Sequence, residues 1–309
     1  MRSVTYKFDF VKKRKLYFLI SGILTLIAIG SLVIQGLNLG IDFVSGTRLD
    51  LQFTKQVDLE KARDALKSLG YEKPNIRLGG NQNNIVIFRL DRKLEKKEVD
   101  QISQGFEKAF QMKPTVQEQT VDPIVGKEIA KNAFYALLIA SLGIVIYVAF
   151  RFEYRFAVAA IIALIHDAFL TIGLFSVLQL EVDLTFVAAI LTIVGYSIND
   201  TIVIFDRIRE NMDRMKPKTW DDLVQLVNAS ISQTLVRSIN TVLTVLFGVV
   251  ALIFLGGESI RNFSLALLFG LIFGAYSSIF LASQIWIGFK WKAMQKEKED
   301  RHGEPVVAE

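Results

Sequence analysis

The stretch Val194-Gly195-Tyr196-Ser197-Ile198-Asn199-Asp200-Thr201-Ile202-Val203-Ile204-Phe205-Asp206-Arg207 carries a carboxylate and an amide through an otherwise lipid-soluble helix. A charged group deep in a bilayer costs about 2.5–3.5 kcal/mol on insertion scales, so it is normally turned inward, paired and used. The chemistry open to Asp200 is the gain and loss of a proton. Asp200 lies six residues before Asp206, where the charged stretch begins, about 9 Å inside that boundary at 1.5 Å per residue. Arg237 lies eight residues into a span predicted to start near Ala229, about 12 Å inside the same boundary. Tyr196, Asn199, Asp200 and Val203 fall on one helical face, as do Arg237, Asn240, Thr241 and Thr244. Antiparallel helices would therefore set Asp200 against Arg237, with Asn199, Asn240 and Thr241 as hydrogen-bonding neighbours. Burial favours the neutral acid and a guanidinium favours the carboxylate, so water access and separation decide the state of such a pair. A proton arriving from one side would break it and release to the other would restore it, driven by about 2.3 kcal/mol per charge per 100 mV. The expectation is a proton-driven conformational device; the alternative is an ion pair locked for structure.

His166 and Asp167 form a second polar pair, with His166 ten residues into a span predicted to start at Phe156 and so about 15 Å deep. They could extend a proton path, although a lone histidine in a bundle commonly makes only a helix-to-helix hydrogen bond. Gly270-Leu271-Ile272-Phe273-Gly274 and Ser277-Ser278 offer small-residue surfaces for close helix packing.

The elements that must hold these groups are apolar spans. Of 309 residues 51% are hydrophobic, 23 are Phe, and the mean hydropathy is +0.37, which indicates a polytopic membrane protein. No cysteine and only two histidines, His166 and His302, exclude disulfides, thiolate sites and a His-rich metal site. No nucleophile, metal cluster or phosphate loop points to an enzyme, and no cofactor is expected beyond protons as the coupling ion. The net charge of +5 is no nucleic-acid signal, because the basic residues collect beside apolar spans.

Residues 1–15 are basic, with Arg2, Lys7, Lys12, Lys13, Arg14 and Lys15 against Asp9. The first span, 16–37, is too long and lacks the small-residue site of a cleaved leader, so it is expected to remain as an anchor. Residues 38–126 read as a separate α+β domain: strands Thr47–Phe53, Asn75–Leu78, Ile85–Leu90 and Val116–Val121, with helices Asp58–Leu69 and Glu95–Met112. The order β-α-β-β-α-β predicts a ferredoxin-like sheet with two helices on one face. Its acids, including Asp50, Asp58 and Glu60, read as solvated surface. Residues 127–289 supply five further spans, at Ile129–Phe150, Phe156–Leu178, Leu184–Phe205, Ala229–Leu255 and Ile260–Phe289. In loop 206–228, Ile208, Met212 and Met215, then Trp220, Leu223, Leu226 and Val227, repeat at helical spacing, either along the membrane interface or as a solvated hairpin. Arg151 and Arg155, the basic residues of 206–228 and the tail 290–309 share one side; the loops at Glu181–Asp183 and Glu258 carry only acids. The positive-inside rule places both termini in the cytoplasm and the α+β domain on the opposite side of the membrane.

From Gly195 through Asp206-Arg207-Ile208-Arg209-Glu210-Asn211 the chain resembles the SecF family, the smaller membrane subunits of bacterial SecDF accessory complexes. Gly40-Ile41-Asp42-Phe43, Leu164-Ile165-His166-Asp167, Gln233 through Thr241 and Tyr276-Ser277-Ser278-Ile279-Phe280 support the resemblance, which covers nearly the whole chain. Where the family usually has two glycines after Phe43, Ser45 stands before Gly46. The resemblance implies half of an RND-like bundle whose other half is SecD, proton-path positions at Asp200 and Arg237, and a further carboxylate on SecD. It also implies a place in the bacterial cytoplasmic membrane and use of the proton-motive force to pull preproteins outward through SecYEG, with YajC and YidC as further partners. A proton-coupled RND-type exporter subunit and a passive translocon scaffold are the alternatives.

Overall fold

The computed structural model describes residues 8–302 except 73 and 81, with the side chains of 301 and 302 also outside the described set. Arg2, Lys7 and Arg301 therefore lie outside the described side chains. In chain order the elements are α1 (Arg14–Ile34), β1 (Asn38–Leu39), α2 (Ile41–Val44), β2 (Gly46–Gln52), α3 (Leu59–Ser68), β3 (Asn75–Gly79), β4 (Ile85–Leu90), α4 (Lys96–Phe110), β5 (Thr115–Val121), α5 (Pro123–Arg151) and α6 (Tyr154–Val177). There follow β6 (Glu181–Val182), α7 (Leu184–Met215), α8 (Trp220–Leu255), a short 3-10 turn, α9 (Arg261–Ser277), a π-helical turn (Ser278–Ala282) and α10 (Ser283–His302). Among the described residues six helical stretches are long and apolar enough to cross a membrane: α1, α5, α6, α7, α8 and the run from Glu258 to Asp300.

Residues 206–228 are not a loop. Asp183 starts α7 by accepting from the Phe186 amide at 2.8 Å, and the helix runs unbroken past Asp206 until Lys216 turns left-handed at φ 44°, just before Pro217. Thr219 and Asp222 cap α8 reciprocally. The helix-spaced apolar residues of this region thus extend the two spans as one antiparallel pair. At 32 and 36 residues α7 and α8 are about 48 and 54 Å long, well beyond a 30 Å hydrocarbon core. Asn211 of α7 donates to Ser230 Oγ at 2.8 Å and Gln233 Oε1 at 3.1 Å of α8, which fixes their register. The last span, expected to be continuous, is interrupted by the π turn at Ser278–Ala282, a distortion that recurs at functional sites.

The bundle closes where side chains are small. A Cβ on Gly270 of α9 would collide with Ile193 of α7, a β-branched side chain that is 1% exposed and has little freedom to yield. Gly270→Ala is expected to cost about 1–3 kcal/mol, read as a lower unfolding temperature of the purified chain; an unchanged temperature would show that α7 and α9 can separate without penalty.

Between α1 and α5 lies the α/β domain. Its four strands lie in the order β3-β4-β2-β5, each neighbour antiparallel. Strand alternation sorts the faces: Leu49, Leu51, Val86 and Phe88 pack with Ala62, Leu66, Val99, Ile102 and Phe106 of the two helices, whereas Arg48, Asp50 and Arg89 lie in alternate positions on β2 and β4. Helix α4 is held at its start by a capping box between Glu95 and Glu98. Arg92 binds Glu98 through both oxygens, at 3.0 and 2.7 Å. That guanidinium, with the Glu95 amide, pulls the Glu98 carboxyl down to about 2 from its ordinary 4.5. A lowered folded-state value means the contribution is complete above pH 4.5 and fades as the pH falls toward 2. Amide exchange in the first turn of α4 is expected to accelerate across that window in the wild type, and Glu98→Gln to remove the dependence.

Candidate functional site

Two buried acids occupy the interior of the bundle, and they are held differently. Asp200 of α7 is 7% exposed, and its Oδ2 is buried without a hydrogen-bond partner. It lines a cavity with Tyr196, Ser197 and Asn199 of α7, Thr241 and Val242 of α8, and Gly270 and Gly274 of α9. The space is about 10 Å³, room for one water at most. Ser238 of α8 acts on the carboxylate, but its buried hydroxyl also lacks a completed hydrogen bond.

Arg237 does not meet Asp200 in the expected ion pair. The two interact electrostatically, yet among the described residues no salt bridge joins them, and Arg237 is exposed. The register explains this. With Asn211 opposite Ser230 and Gln233, counting eleven residues back along α7 to Asp200 brings it level with Thr241–Thr244, and Arg237 falls about one to two turns nearer the α7–α8 connection. Asn240 is likewise exposed, and Thr241 gives its hydroxyl to the Arg237 carbonyl at 2.9 Å. Of the residues singled out in sequence, Tyr196, Asn199, Asp200 and Thr241 therefore share one cavity, while Arg237 and Asn240 sit outside it.

The second acid, Asp167 of α6, is fully buried. Its Oδ2 accepts from Ser197 Oγ of α7 and Ser277 Oγ of α9, both at 2.6 Å, and its Oδ1 lies 3.1 Å from His166 Nδ1. His166 Nε2 is 2.6 Å from Ser21 Oγ of α1. Beside this node Thr201 of α7 and Ser278 of the π turn share a hydrogen bond of 2.8 Å. Spacing marked Ser277 and Ser278 only as packing surface; their hydroxyls are in fact aimed at polar partners on α6 and α7.

A third constellation joins the domain to the bundle. Glu181 is 4% exposed and receives Arg48 of β2 at 3.4 Å, Arg77 of β3 at 3.0 Å and Arg89 of β4 at 3.2 Å. Arg77 also reaches Glu258 at 2.9 Å, which accepts from the Gly80 amide at 3.1 Å. Asp50 is not solvated surface: it grips Arg48 at 2.8 Å. Burial alone would lower the affinity of Arg48 for its proton, but the Asp50, Glu181 and Glu258 carboxylates reverse the sign and raise it. The alternation of β2 and β4 was the signal that a charged face existed; its acceptors lie about a hundred or more residues away. The same seam contains the parallel pair β1–β6 and the bond from the Leu184 amide to Asp42 Oδ2 at 2.8 Å.

A multi-pass bundle with acids sequestered among hydroxyls, and an α/β domain clamped to one end of it, defines a membrane protein built around intramembrane ionisable groups. The sequence profile of the protein export membrane proteins SecD and SecF, C-terminal part, matches residues 101–292, and that of the SecD/SecF GG motif matches residues 30–57. The protein translocase subunit SecF of Alicyclobacillus acidocaldarius is 45% identical over 97% of this chain and 98% of its own length. The protein translocase subunit SecDF of Bacillus subtilis is 48% identical over 94% of this chain, which spans 39% of that relative. The crystal structure of SecDF, a translocon-associated membrane protein from Thermus thermophilus, superimposes with a TM-score of 0.83 at 36% identity, covering 95% of this chain and 40% of that one. The chain belongs to the SecF family of protein translocase subunits.

Proposed function

We propose that this chain serves Sec protein export as one half of a proton-driven machine in which Asp200 takes up and releases the proton. The observation that carries the reading is the Asp200 carboxylate: buried, with an oxygen that completes no hydrogen bond although the Ser238 hydroxyl and the Arg237 guanidinium both act on it, in a cavity the size of one water. A scaffold would have locked acid and guanidinium together. An unclosed pair can change partners when a proton or a new helix arrives.

The partner this requires is a SecD-type bundle. Tyr196, Asn199, Arg237, Asn240 and Thr244 are exposed on α7 and α8, and polar side chains facing lipid are costly enough that a protein surface is expected to cover them. The part of SecDF that this chain does not span is the source of that surface and of a second carboxylate. SecYEG and its preproteins, with YajC and YidC, are the further partners. In this reading the chain lies in the bacterial cytoplasmic membrane with both termini inside. Arg207, Arg209 and Arg214 on α7 and Lys290, Lys292 and Lys296 on α10 support that orientation by gathering at one end of the bundle. The α/β domain of residues 38–126 is then a ferredoxin-like extracytoplasmic lever; its strand order and its two helices on one face support that assignment. The decisive experiment is proton flux into vesicles holding this chain with its SecD partner. Flux that Asp200→Asn abolishes supports the reading, and equal flux in both overturns it.

A further inference from the structure

We propose that His166 and Asp167 form a second proton-holding site, distinct from Asp200, whose state is passed to helix α1. This deepens the proton-driven reading and rests on it only for its role in export. Asp167 is fully buried, and among the described residues no Lys or Arg pairs with it. Among the described residues, its one ionisable neighbour within bonding distance is the His166 ring.

The hydrogen bonds at this node can be satisfied in two ways. With a neutral ring protonated on Nδ1, Nδ1–H donates to Asp167 Oδ1, and the Ser21 hydroxyl donates to Nε2. With one more proton on the ring, Nε2–H donates to Ser21 Oγ instead. Ser197 and Ser277 donate to Oδ2 in both cases. The extra proton therefore leaves every nitrogen and oxygen of the node in a hydrogen bond, while the Ser21 hydroxyl must reverse and turn its own hydrogen away from the ring; that hydroxyl is on α1. The net charge changes from minus one to zero.

The other titratable groups brought in by the packed helices are few. Helix α7 presents Asp200, one turn beyond Ser197, and both residues line the same cavity. From α1 comes Tyr17, one turn before Ser21, and from α9 comes Tyr276, whose hydroxyl donates to the Tyr17 carbonyl at 2.8 Å. The charges of α5 (Lys127, Glu128, Lys131, Arg151) fall toward its two ends, and the first charge of α10 is Lys290. Ser197 and Gly274 line the Asp200 cavity and adjoin Asp167: a Cβ on Gly274 would lie 3.7 Å from Asp167 Oδ2 and 3.3 Å from Ser197 Cβ. Helix α1 leads directly through β1 into the α/β domain, so a change at Ser21 has a route out of the bundle.

The sequence makes the test tractable, because it holds two histidines in all. The full chain, isotopically labelled at histidine and placed in phosphatidylethanolamine–phosphatidylglycerol vesicles, gives two ring signals, and His302→Gln assigns the one from His166. The His166 signal is expected to change as the ring passes between its one-proton and two-proton forms, and Asp167→Asn to displace the midpoint of that change. A wild-type His166 signal that does not change with pH overturns the proposal whether or not the Asp167 variant folds, as does a midpoint that Asp167→Asn leaves in place. Asp200→Asn separates the two readings. A His166 that still titrates in a variant that exports normally sustains this site and sinks the role of Asp200. A static His166 with export lost does the reverse.

Discussion

Asp200→Asn, in vesicles containing the chain, a SecD-type protein and a Sec translocon, is expected, on the proposed function, to remove the part of preprotein translocation that follows the proton-motive force and to spare the ATP-driven part. Asparagine keeps the size of the side chain and discards the titration. If one proton supplies about 2.3 kcal/mol at 100 mV, losing it corresponds to a rate deficit of about fiftyfold. Stimulation by an imposed gradient is the measurement, and equal stimulation in both proteins would refute the assignment. Arg237→Ala gives a companion test. Removing one partner of a buried ion pair usually costs about 3–5 kcal/mol of stability. Arg237 is exposed and makes no salt bridge with Asp200, so the expected stability change is below about 1 kcal/mol, and the loss falls on coupling instead.

The second large effect is expected at Glu181. Three arginines from three strands converge on a carboxylate whose side chain is 2% exposed. Glu181→Gln preserves the shape and leaves Arg48 with Asp50, Arg77 with Glu258 and Arg89 with Asn38 Oδ1 and the Leu39 carbonyl. Stripping a buried cluster of its central charge is expected to cost the junction about 3–5 kcal/mol. The core of the α/β domain, built on Leu49, Leu51, Phe88 and Phe106, does not depend on the cluster. Amide exchange should therefore rise at Gly40, whose amide binds the Val182 carbonyl across the seam, while β2 and β4 stay protected from each other. Uniform exchange in variant and wild type would show that the domain is fastened elsewhere. Export should fall together with the seam, because Asp183, which caps α7, is two residues away.

The α/β domain was legible because its signals are local. Alternation in Thr47–Phe53 and Ile85–Leu90, and helical spacing closed by Gly70, gave elements within about two residues of those observed. The far ends of α7 and α8 were misread for a physical reason: a drop in hydropathy at Asp206 ends the lipid-compatible stretch but not the helix, which needs a stop such as Lys216-Pro217. That boundary error carried into the site, because counting depth from Ala229 made Arg237 level with Asp200, whereas Asn211 against Ser230 sets the register. Hydroxyl donors such as Ser197 and Ser277 look like packing residues until the helices carrying them are placed beside Asp167. The Glu181 cluster joins positions about a hundred or more residues apart, and only its charged strand face was written locally.

Helix α7 runs unbroken from Leu184 to Met215, so Asp200, with sixteen helical residues before it and fifteen after, stands at its midpoint. A stiff beam pressed at its centre rocks, and its tips travel in opposite directions. A tilt of 10° about the middle of a rod about 48 Å long swings each tip by about 4 Å. If Asp200 takes up the proton as proposed, its seat at the midpoint makes it a fulcrum: one proton would shift the arginine-held tip and the Met215 tip in a single stroke, and a force applied at either tip would be felt at the carboxylate.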